Sequence, residues 1–141
     1  MTGPNPRLYM DASALVKLVI TEDESDALRE YIGEGATLIS SRVGEVELRR
    51  VTGRQAERPA DATVDAVLRA TSFMELDPLI AGSAGRIGPA TLRSLDAIHL
   101  ASALALGDEL DAFVTYDGRL ADAARGAGLR VVSPAQAASA N

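Results

Sequence analysis

Short apolar runs alternate with longer segments of helical periodicity along most of the chain. The first run, 8–10, is too short for a helix and ends at a carboxylate, so it predicts a buried strand. The apolar segment 14–20 behind it predicts a helix. The pattern as a whole predicts an α/β three-layer sandwich, in which helices cover both faces of a central, mainly parallel sheet of about five strands. Further strands are predicted at 36–40, 73–76, 112–115 and 130–132. Further helices are predicted over 42–57, 60–71, 92–106 and 119–127. One more helix ends near residue 32, and a helix of about two turns opens at Asp77–Pro78 and ends in the stretch 82–88.

Glycine and proline mark the turns and the ends of this pattern. The residues before Arg7 predict a loose lead-in, and the alanine-rich stretch after Pro134 predicts a frayed terminal helix. The glycine-rich stretch 82–88 carries neither of the common phosphate-binding glycine motifs, so we interpret it as a turn. A chain of this length fits a single domain over residues 1–141, with a core at about 8–134 and flexible ends.

The composition excludes several classes of site. Cysteine is absent, which excludes disulfides and thiolate chemistry, and the single histidine excludes a zinc site built from several histidines. No apolar run reaches the roughly 18 residues of a membrane span and no signal peptide is recognisable, so we expect a soluble cytoplasmic protein. The net charge of −6 argues against binding a nucleic acid through an overall positive field. A polyanionic substrate would need a local basic patch or bound cations.

Two aspartates each follow a predicted strand and precede a predicted helix. Asp11 ends the first strand and Asp117 follows the fourth, so both are expected at the carboxyl edge of the sheet, where ligands bind in open α/β folds. A carboxylate in this position also serves as a helix cap by accepting from free N–H groups. Asp11 therefore suits either a ligand site or an N-cap, a role for which Ser13 is a second candidate.

Two glutamates of the third predicted helix are not equivalent. Glu47 is spaced by four from Val43 and from Val51, so it shares the apolar face that we expect to face the sheet. Glu45 has Arg49 four residues on, which is the spacing of an exposed ion pair. We interpret Glu47 as the inward carboxylate and Glu45 as solvated. The alternative for Glu47 is a side chain at the edge of the stripe that bends out to water.

The same helix concentrates positive charge in a chain that is acidic overall. It carries five arginines against three glutamates, and Arg50, Arg54 and Arg58 share one face. A run of this kind is usually a solvated ridge, and its functional alternative is a contact with phosphates or with an acidic partner.

The segment 92–106 is apolar nearly all round and contains a single acid, Asp96. Burying an unpaired carboxylate costs several kcal/mol unless a positive or hydrogen-bonding group compensates it. Free N–H groups in the first turn, after a cap at Ser94, are one such compensation, and a bound ligand is the other. His99, one turn further on the same side, either hydrogen-bonds a carboxylate or is a core residue with both ring nitrogens satisfied.

The predicted sheet brings these acids together. Asp11 and Asp117 lie on one edge, and Glu47 and Asp96 belong to helices that start near it. Four carboxylates in one place repel one another unless a cation neutralises them, and an all-oxygen cluster suits Mg²⁺ or Mn²⁺. Such ions activate water and neutralise a phosphodiester, which would also let an acidic protein bind a polyanion.

Four blocks of sequence resemble the PIN-domain ribonucleases, specifically the VapC-type toxins of toxin–antitoxin pairs. The blocks occur in order and are YMDASALVK at 9–17, VEL at 46–48, LDAIHLA at 95–101 and VTYD at 114–117. The resemblance implies an endoribonuclease that depends on Mg²⁺ or Mn²⁺ and hydrolyses RNA. It also implies a homodimer, inhibited by a VapB-type antitoxin whose tail occupies the active-site groove.

The resemblance also assigns roles to individual residues. It implies that Asp11, Glu47, Asp96 and Asp117 form the catalytic acidic cluster, with Ser13 and Thr115 as polar neighbours. Our own interpretation is that Asp11 and Asp96 bind the cation directly, that Glu47 joins them, and that Asp117 acts through water or a second ion. A departure from the family pattern is Gly44, which lies inside the glutamate helix beside the competing Glu45.

Two other functions fit parts of the pattern. A phosphohydrolase that forms an aspartyl phosphate needs a second aspartate two residues after the first and a lysine late in the chain. Ser13 stands at the first of these positions, and Lys17 is the only lysine. A domain that binds RNA or a partner without cleaving it would use the acids only as helix caps.

Overall fold

Five parallel strands form the centre of the fold, in the order β3-β2-β1-β4-β5. The computed structural model describes residues 5–136, so the start of the predicted lead-in and residues 137–141 of the predicted terminal helix lie outside the described residues. Residues 133–136 form no helix. The strands are β1 Arg7–Met10, β2 Thr37–Ser41, β3 Thr71–Met74, β4 Ala112–Val114 and β5 Val131–Val132.

Seven helices within residues 5–136 connect and cover these strands. β1 alternates its side chains between two cores: Leu8 and Met10 pack on one face of the sheet, and Tyr9 packs on the other. The predicted three-layer α/β sandwich is therefore confirmed. None of these helices combines the length and the apolar character that crossing a lipid bilayer requires. The helices are α1 Ala12–Val19, α2 Ser25–Ile32, α3 Arg42–Gly53, α4 Asp61–Arg69, α5 Pro78–Arg86, α6 Ser94–Ala105 and α7 Gly118–Gly126.

The two cores divide the helices between the faces of the sheet. The first core joins β1 to Leu15 of α1, Leu28 of α2 and Leu48 of α3, and the second joins it to Leu100 of α6 and Leu120 of α7. All five leucines are fully buried. Each contributes roughly 1.5–3 kcal/mol relative to an exposed side chain, so the faces of α3 and α6 that point inward are fixed by apolar packing.

Three local predictions were wrong. The helix predicted to open at Asp77–Pro78 is present, but it continues through Gly82 and Gly85 to Arg86, so most of the stretch 82–88 is helix rather than turn, and neither glycine has a positive φ. Asp77 caps this helix and Pro78 occupies its first turn, and both features favour helix formation. In addition, α3 ends at Gly53 rather than near residue 57, and β3 begins two residues before the predicted strand.

Candidate active site

Asp11 lies at the carboxyl end of β1 and is the N-cap of α1. Its Oδ1 accepts from the backbone N–H of Ala14 at 3.0 Å and from the Ser13 hydroxyl at 2.7 Å. Its Oδ2 accepts from the Thr115 hydroxyl at 2.6 Å. The residue is 3% exposed, and burial raises the pKa of its carboxyl, opposed by the Thr115 hydrogen bond. Asp11 is thus a cap, as one alternative held, and it also lines the cavity described below.

The backbone after β4 holds the two hydroxyls that contact Asp11. The N–H of Tyr116 donates to Ser13 Oγ at 2.9 Å, and the N–H of Asp117 donates to Thr115 Oγ1 at 3.0 Å. Each hydroxyl therefore accepts from the backbone and donates its own proton to the carboxylate. This arrangement fixes the position of Asp11 between the ends of the neighbouring strands β1 and β4.

Asp117 repeats this arrangement at the start of α7. Its Oδ1 accepts from the backbone N–H groups of Arg119 at 2.9 Å and Leu120 at 3.1 Å. The helix cap uses only this oxygen, and within residues 5–136 no hydrogen bond engages Oδ2. Capping and lining a ligand site are therefore compatible for Asp117.

Asp96 lies in the first turn of α6. The predicted cap at Ser94 was wrong: Arg93 is the N-cap residue and makes no side-chain capping bond, because the helix already begins at Ser94. Burial raises the pKa of Asp96, and the nearby charges of Asp117, Asp11 and Glu47 raise it further. The carboxylate of Asp96 therefore lies among other acids without a compensating hydrogen bond from the described residues.

Glu47 contacts a buried histidine. Its Oε1 lies 2.6 Å from Nε2 of His99, whose Nδ1 lies 2.8 Å from the hydroxyl of Tyr9. His99 is 1% exposed and Tyr9 is fully buried, whereas the Glu47 side chain keeps 23% of its surface exposed. Both alternatives for His99 hold, because it is a core residue with both ring nitrogens engaged and it binds a carboxylate.

The buried face of α3 is displaced by one position from the predicted stripe. Gly44, Leu48 and Thr52 are its buried residues, while Val43 and Val51 are only partly buried. Glu47 therefore lies beside the buried face rather than at its centre, which lets its carboxylate reach both His99 and solvent. Thr52 tolerates burial because its hydroxyl donates to the Leu48 carbonyl.

Glu45 turns to the outer surface. It pairs with Arg42 at 2.6 Å and, as the spacing indicates, with Arg49 at 3.1 Å. The hydrogen bond from Arg42 lowers the pKa of Glu45. Glu45 is neutralised by its own helix, which distinguishes it from Glu47.

The predicted acids line one cavity of about 350 Å³. Within residues 5–136, no three His, Asp or Glu side chains come close enough together to hold one ion among them. The acids thus share a cavity without forming a closed ligand cage. Their assignment as metal ligands stays a prediction. The acids are Asp11, Glu47, Asp96 and Asp117, and Ser13, Arg93 and His99 also line the cavity.

Two arginines that were not predicted flank this cavity. Arg93 lines it directly, and Arg93 and Arg119 both line an adjoining groove of about 1200 Å³ that also reaches Asp96 and Asp117. Neither arginine forms an ion pair with another of the described residues. The sequence signal was their position, immediately before α6 and immediately after the Asp117–Gly118 turn.

The predicted arginine ridge does not form on a helix. Arg50 belongs to α3, but Arg54 is the C-cap residue and Arg58 lies beyond the helix end. All three side chains are exposed. They are absent from the residues that line the cavity and its adjoining groove.

Comparison with known proteins shows the family of the chain. Residues 8–126 match the PIN domain family. The chain belongs to the PIN-domain family. It is 44% identical over 131 residues to ribonuclease VapC47 of Mycobacterium tuberculosis, covering 90% of this chain and 96% of the relative. It is 42% identical to ribonuclease VapC35 of the same species, covering 92% and 98%. It is therefore a VapC-type PIN-domain ribonuclease.

Solved PIN-domain structures share the fold at low identity. The crystal structure of M. tuberculosis VapC20, a toxin that cleaves the sarcin–ricin loop, matches with a TM-score of 0.68 at 14% identity, covering 90% of this chain and 99% of that one. A VapBC2 structure from Rickettsia felis, bound to promoter DNA, also gives 0.68 at 12% identity, covering 91% and 98%. The two comparisons support the sheet order and the layers.

Proposed function

We propose that the cavity binds Mg²⁺ or Mn²⁺ and that the chain hydrolyses RNA phosphodiester bonds as the toxin of a toxin–antitoxin pair. The observation that carries this proposal is the convergence of four carboxylates, from β1, α3, α6 and the start of α7, on one cavity. PIN-domain nucleases are generally dependent on divalent metals, and the relatives named above are ribonucleases. The oxygen-only donor set suits these two cations.

The hydrogen bonds of the site leave oxygens available to a cation. A carboxylate offers about four acceptor positions, of which Asp11 uses three and Asp117 uses two. Glu47 has Oε2 available, because only Oε1 contacts His99. The lack of a closed cage is compatible with Mg²⁺, which usually keeps several waters and binds one or two carboxylates directly. The residues therefore fit the group.

The roles of the acids follow from how firmly each is held. Asp11, fixed by three donors, and Asp96, which lacks compensation, bind the cation directly. Glu47 joins them and Asp117 acts through water or a second ion. A bound divalent ion lowers the pKa of a water molecule and neutralises charge on the phosphodiester. The chain supplies a fixed cluster of negative charge for that ion.

The substrate requires positive charge that the acids do not provide. Arg93 and Arg119 line the groove that leads from Asp96 and Asp117, and both are available to phosphate oxygens. These two side chains are better placed to hold RNA at the cavity than the exposed residues Arg50, Arg54 and Arg58. RNA as the substrate also implies that the protein acts in the cytoplasm.

Partners follow from the family and from the surface. The VapBC2 neighbour is named as a pair, and we propose an antitoxin of the VapB type for this chain as well. A homodimer is supported by exposed apolar side chains on helices that pack together: Val46 of α3 is 54% exposed, Leu79 of α5 82% and Leu95 of α6 45%. Contiguous exposed apolar patches are typical of interfaces, so the proposed homodimer requires that these three side chains form one patch.

The proposal is tested with purified protein freed of any partner. The wild-type chain should cleave RNA in Mg²⁺ or Mn²⁺ and not in a chelator, and Asp11→Asn should lower the rate at least about 100-fold, since the ion contributes several kcal/mol to the transition state. Asp111→Asn, remote from the cavity, is the matched control. Equal cleavage by Asp11→Asn and wild type, or none by either, would favour a module that binds RNA or a partner without cleaving it.

A further inference from the structure

We propose that Tyr9 and His99 are positioning residues that hold Glu47 ready for the cation, so that the cavity depends on a chain of hydrogen bonds reaching into the second core. The inference rests on the proposed function. The chain runs from the Tyr9 hydroxyl through the two ring nitrogens of His99 to Glu47 Oε1, with distances of 2.8 and 2.6 Å.

The chemistry of Tyr9, His99 and Glu47 determines which group donates in each of these hydrogen bonds. A carboxylate only accepts, so His99 Nε2 carries the proton that faces Glu47. In the tautomer that carries its proton on Nε2, Nδ1 is an acceptor, and the Tyr9 hydroxyl at 2.8 Å is placed to donate to it. A hydroxyl that donates to Nδ1 favours the tautomer of His99 that donates to Glu47.

Packing holds the aromatic members of the chain in place. The Tyr9 ring stacks on Phe113 with centroids 5.3 Å apart and planes 3° apart, and it meets His99 edge-on at 5.8 Å. All three rings are almost completely buried. Glu47 is a partly exposed side chain of α3, and its contact with this buried ring uses Oε1 only.

Gly44 explains how the histidine comes so close to α3. A Cβ at this position would lie 2.6 Å from Ser40 Oγ and 3.2 Å from His99 Cε1. Glycine therefore makes room for the His99 ring one turn before Glu47. The departure from the family pattern noted at Gly44 is thus part of the support for Glu47.

The test is Mn²⁺ binding by the full chain, measured from the electron paramagnetic resonance of free Mn²⁺, in Tyr9→Phe and Tyr31→Phe. Partners behind metal ligands typically contribute 10–100-fold in metal affinity, so Tyr9→Phe should weaken binding about 10-fold. Tyr31→Phe, which removes a hydroxyl away from the site, should leave affinity unchanged. In a Glu47→Gln background, Tyr9→Phe should have no further effect, because the chain of hydrogen bonds then ends without a metal ligand.

Two further measurements separate positioning from simple packing. His99→Leu should weaken Mn²⁺ binding as much as Tyr9→Phe or more, and His99→Gln, whose amide keeps an N–H donor, should recover part of the loss. The single histidine also gives one pair of ring ¹⁵N signals, which should report protonation at Nε2 in the wild type and a changed tautomer balance in Tyr9→Phe.

The outcomes distinguish this inference from the proposed function. Normal Mn²⁺ binding by Tyr9→Phe, or an equal loss with and without Glu47, would overturn the positioning role while leaving a metal-dependent nuclease intact. Absence of Mn²⁺ binding by the wild type, or wild-type affinity in Asp11→Asn, would overturn both.

Discussion

Two groups of carboxylates lie on opposite sides of α3 and are treated differently by the fold. On the outer side, Glu45 and Glu75 both pair with Arg42, and hydrogen bonds from that guanidinium lower the pKa of each. On the inner side, burial raises the pKa of Asp11 and Asp96. The outer group forms ion pairs with Arg42, whereas Asp11 and Asp96 form no ion pair with another of the described residues.

Exposure alone does not separate the two groups. The side chains of Glu45 and Glu47 are almost equally exposed, at 22% and 23%, yet they contact different partners. What differs is the partner: Glu45 pairs with the exposed cation Arg42, and Glu47 contacts the buried ring of His99, which in turn contacts Tyr9. Only Oε1 of Glu47 contacts His99, whereas both carboxylate oxygens of Glu45 accept from arginines.

The largest expected difference lies between substitutions of the two glutamates. Glu47→Gln should lower RNA cleavage by roughly 100-fold at limiting Mg²⁺, because it removes a proposed ligand from the cation. Glu45→Gln should change the rate less than about twofold, since exposed ion pairs contribute little. Cleavage rates over a Mg²⁺ titration check this. Similar losses for both variants would mean that the inner and outer carboxylates are not functionally distinct.

A second comparison uses two glycines of α3. Gly44→Ala should destabilise the fold by about 1–2 kcal/mol, because overpacking against Ser40 and His99 outweighs a gain of about 1 kcal/mol in helix propensity. Gly53→Ala meets no atom within 4 Å and should be neutral or slightly stabilising. Urea unfolding of the two variants measures the difference. Equal free energies of unfolding for Gly44→Ala and Gly53→Ala would show that a Cβ at residue 44 fits between α3 and α6 without steric conflict.

The sequence predicted those parts of the site that depend on strand order alone. Parallel strands bring their carboxyl ends to one edge, so Asp11 and Asp117 could be placed as soon as their strands were recognised. Ser13 and Thr115 lie three residues and one residue beyond the ends of β1 and β4, and the family resemblance named them as polar neighbours of the acids.

The remaining parts depend on how helices pack and could not be predicted. The inward face of α3 is set by contacts with α1 and α6, which bury Gly44 and Leu48 rather than the valines whose spacing indicated the face. The contact between His99 and Glu47 joins residues far apart in the chain, and no local pattern encodes it. The same is true of Arg93 and Arg119, which line one groove because the loop before α6 and the start of α7 both border it.

The smallest effect concerns stability as a function of pH, and it should have opposite signs in the two groups. The pKa of Asp96 is raised in the folded state above its model-peptide value of 3.8, so the ionised carboxylate destabilises the metal-free fold above that pH. Asp96→Asn should therefore raise the Tm at pH 7 by a few degrees at most, and the gain should disappear toward pH 4.

The pKa of Glu75 is lowered, so its contribution to stability is present above pH 4.5 and is lost as the pH falls. Glu75→Gln should therefore slightly lower the Tm at pH 7. Thermal unfolding in chelator between pH 4 and 7 measures both effects.

Added Mg²⁺ should reverse the sign of the Tm difference between variant and wild type for Asp96→Asn only, because the wild type alone then gains a stabilising ligand. An unchanged sign would mean that Asp96 does not bind the ion.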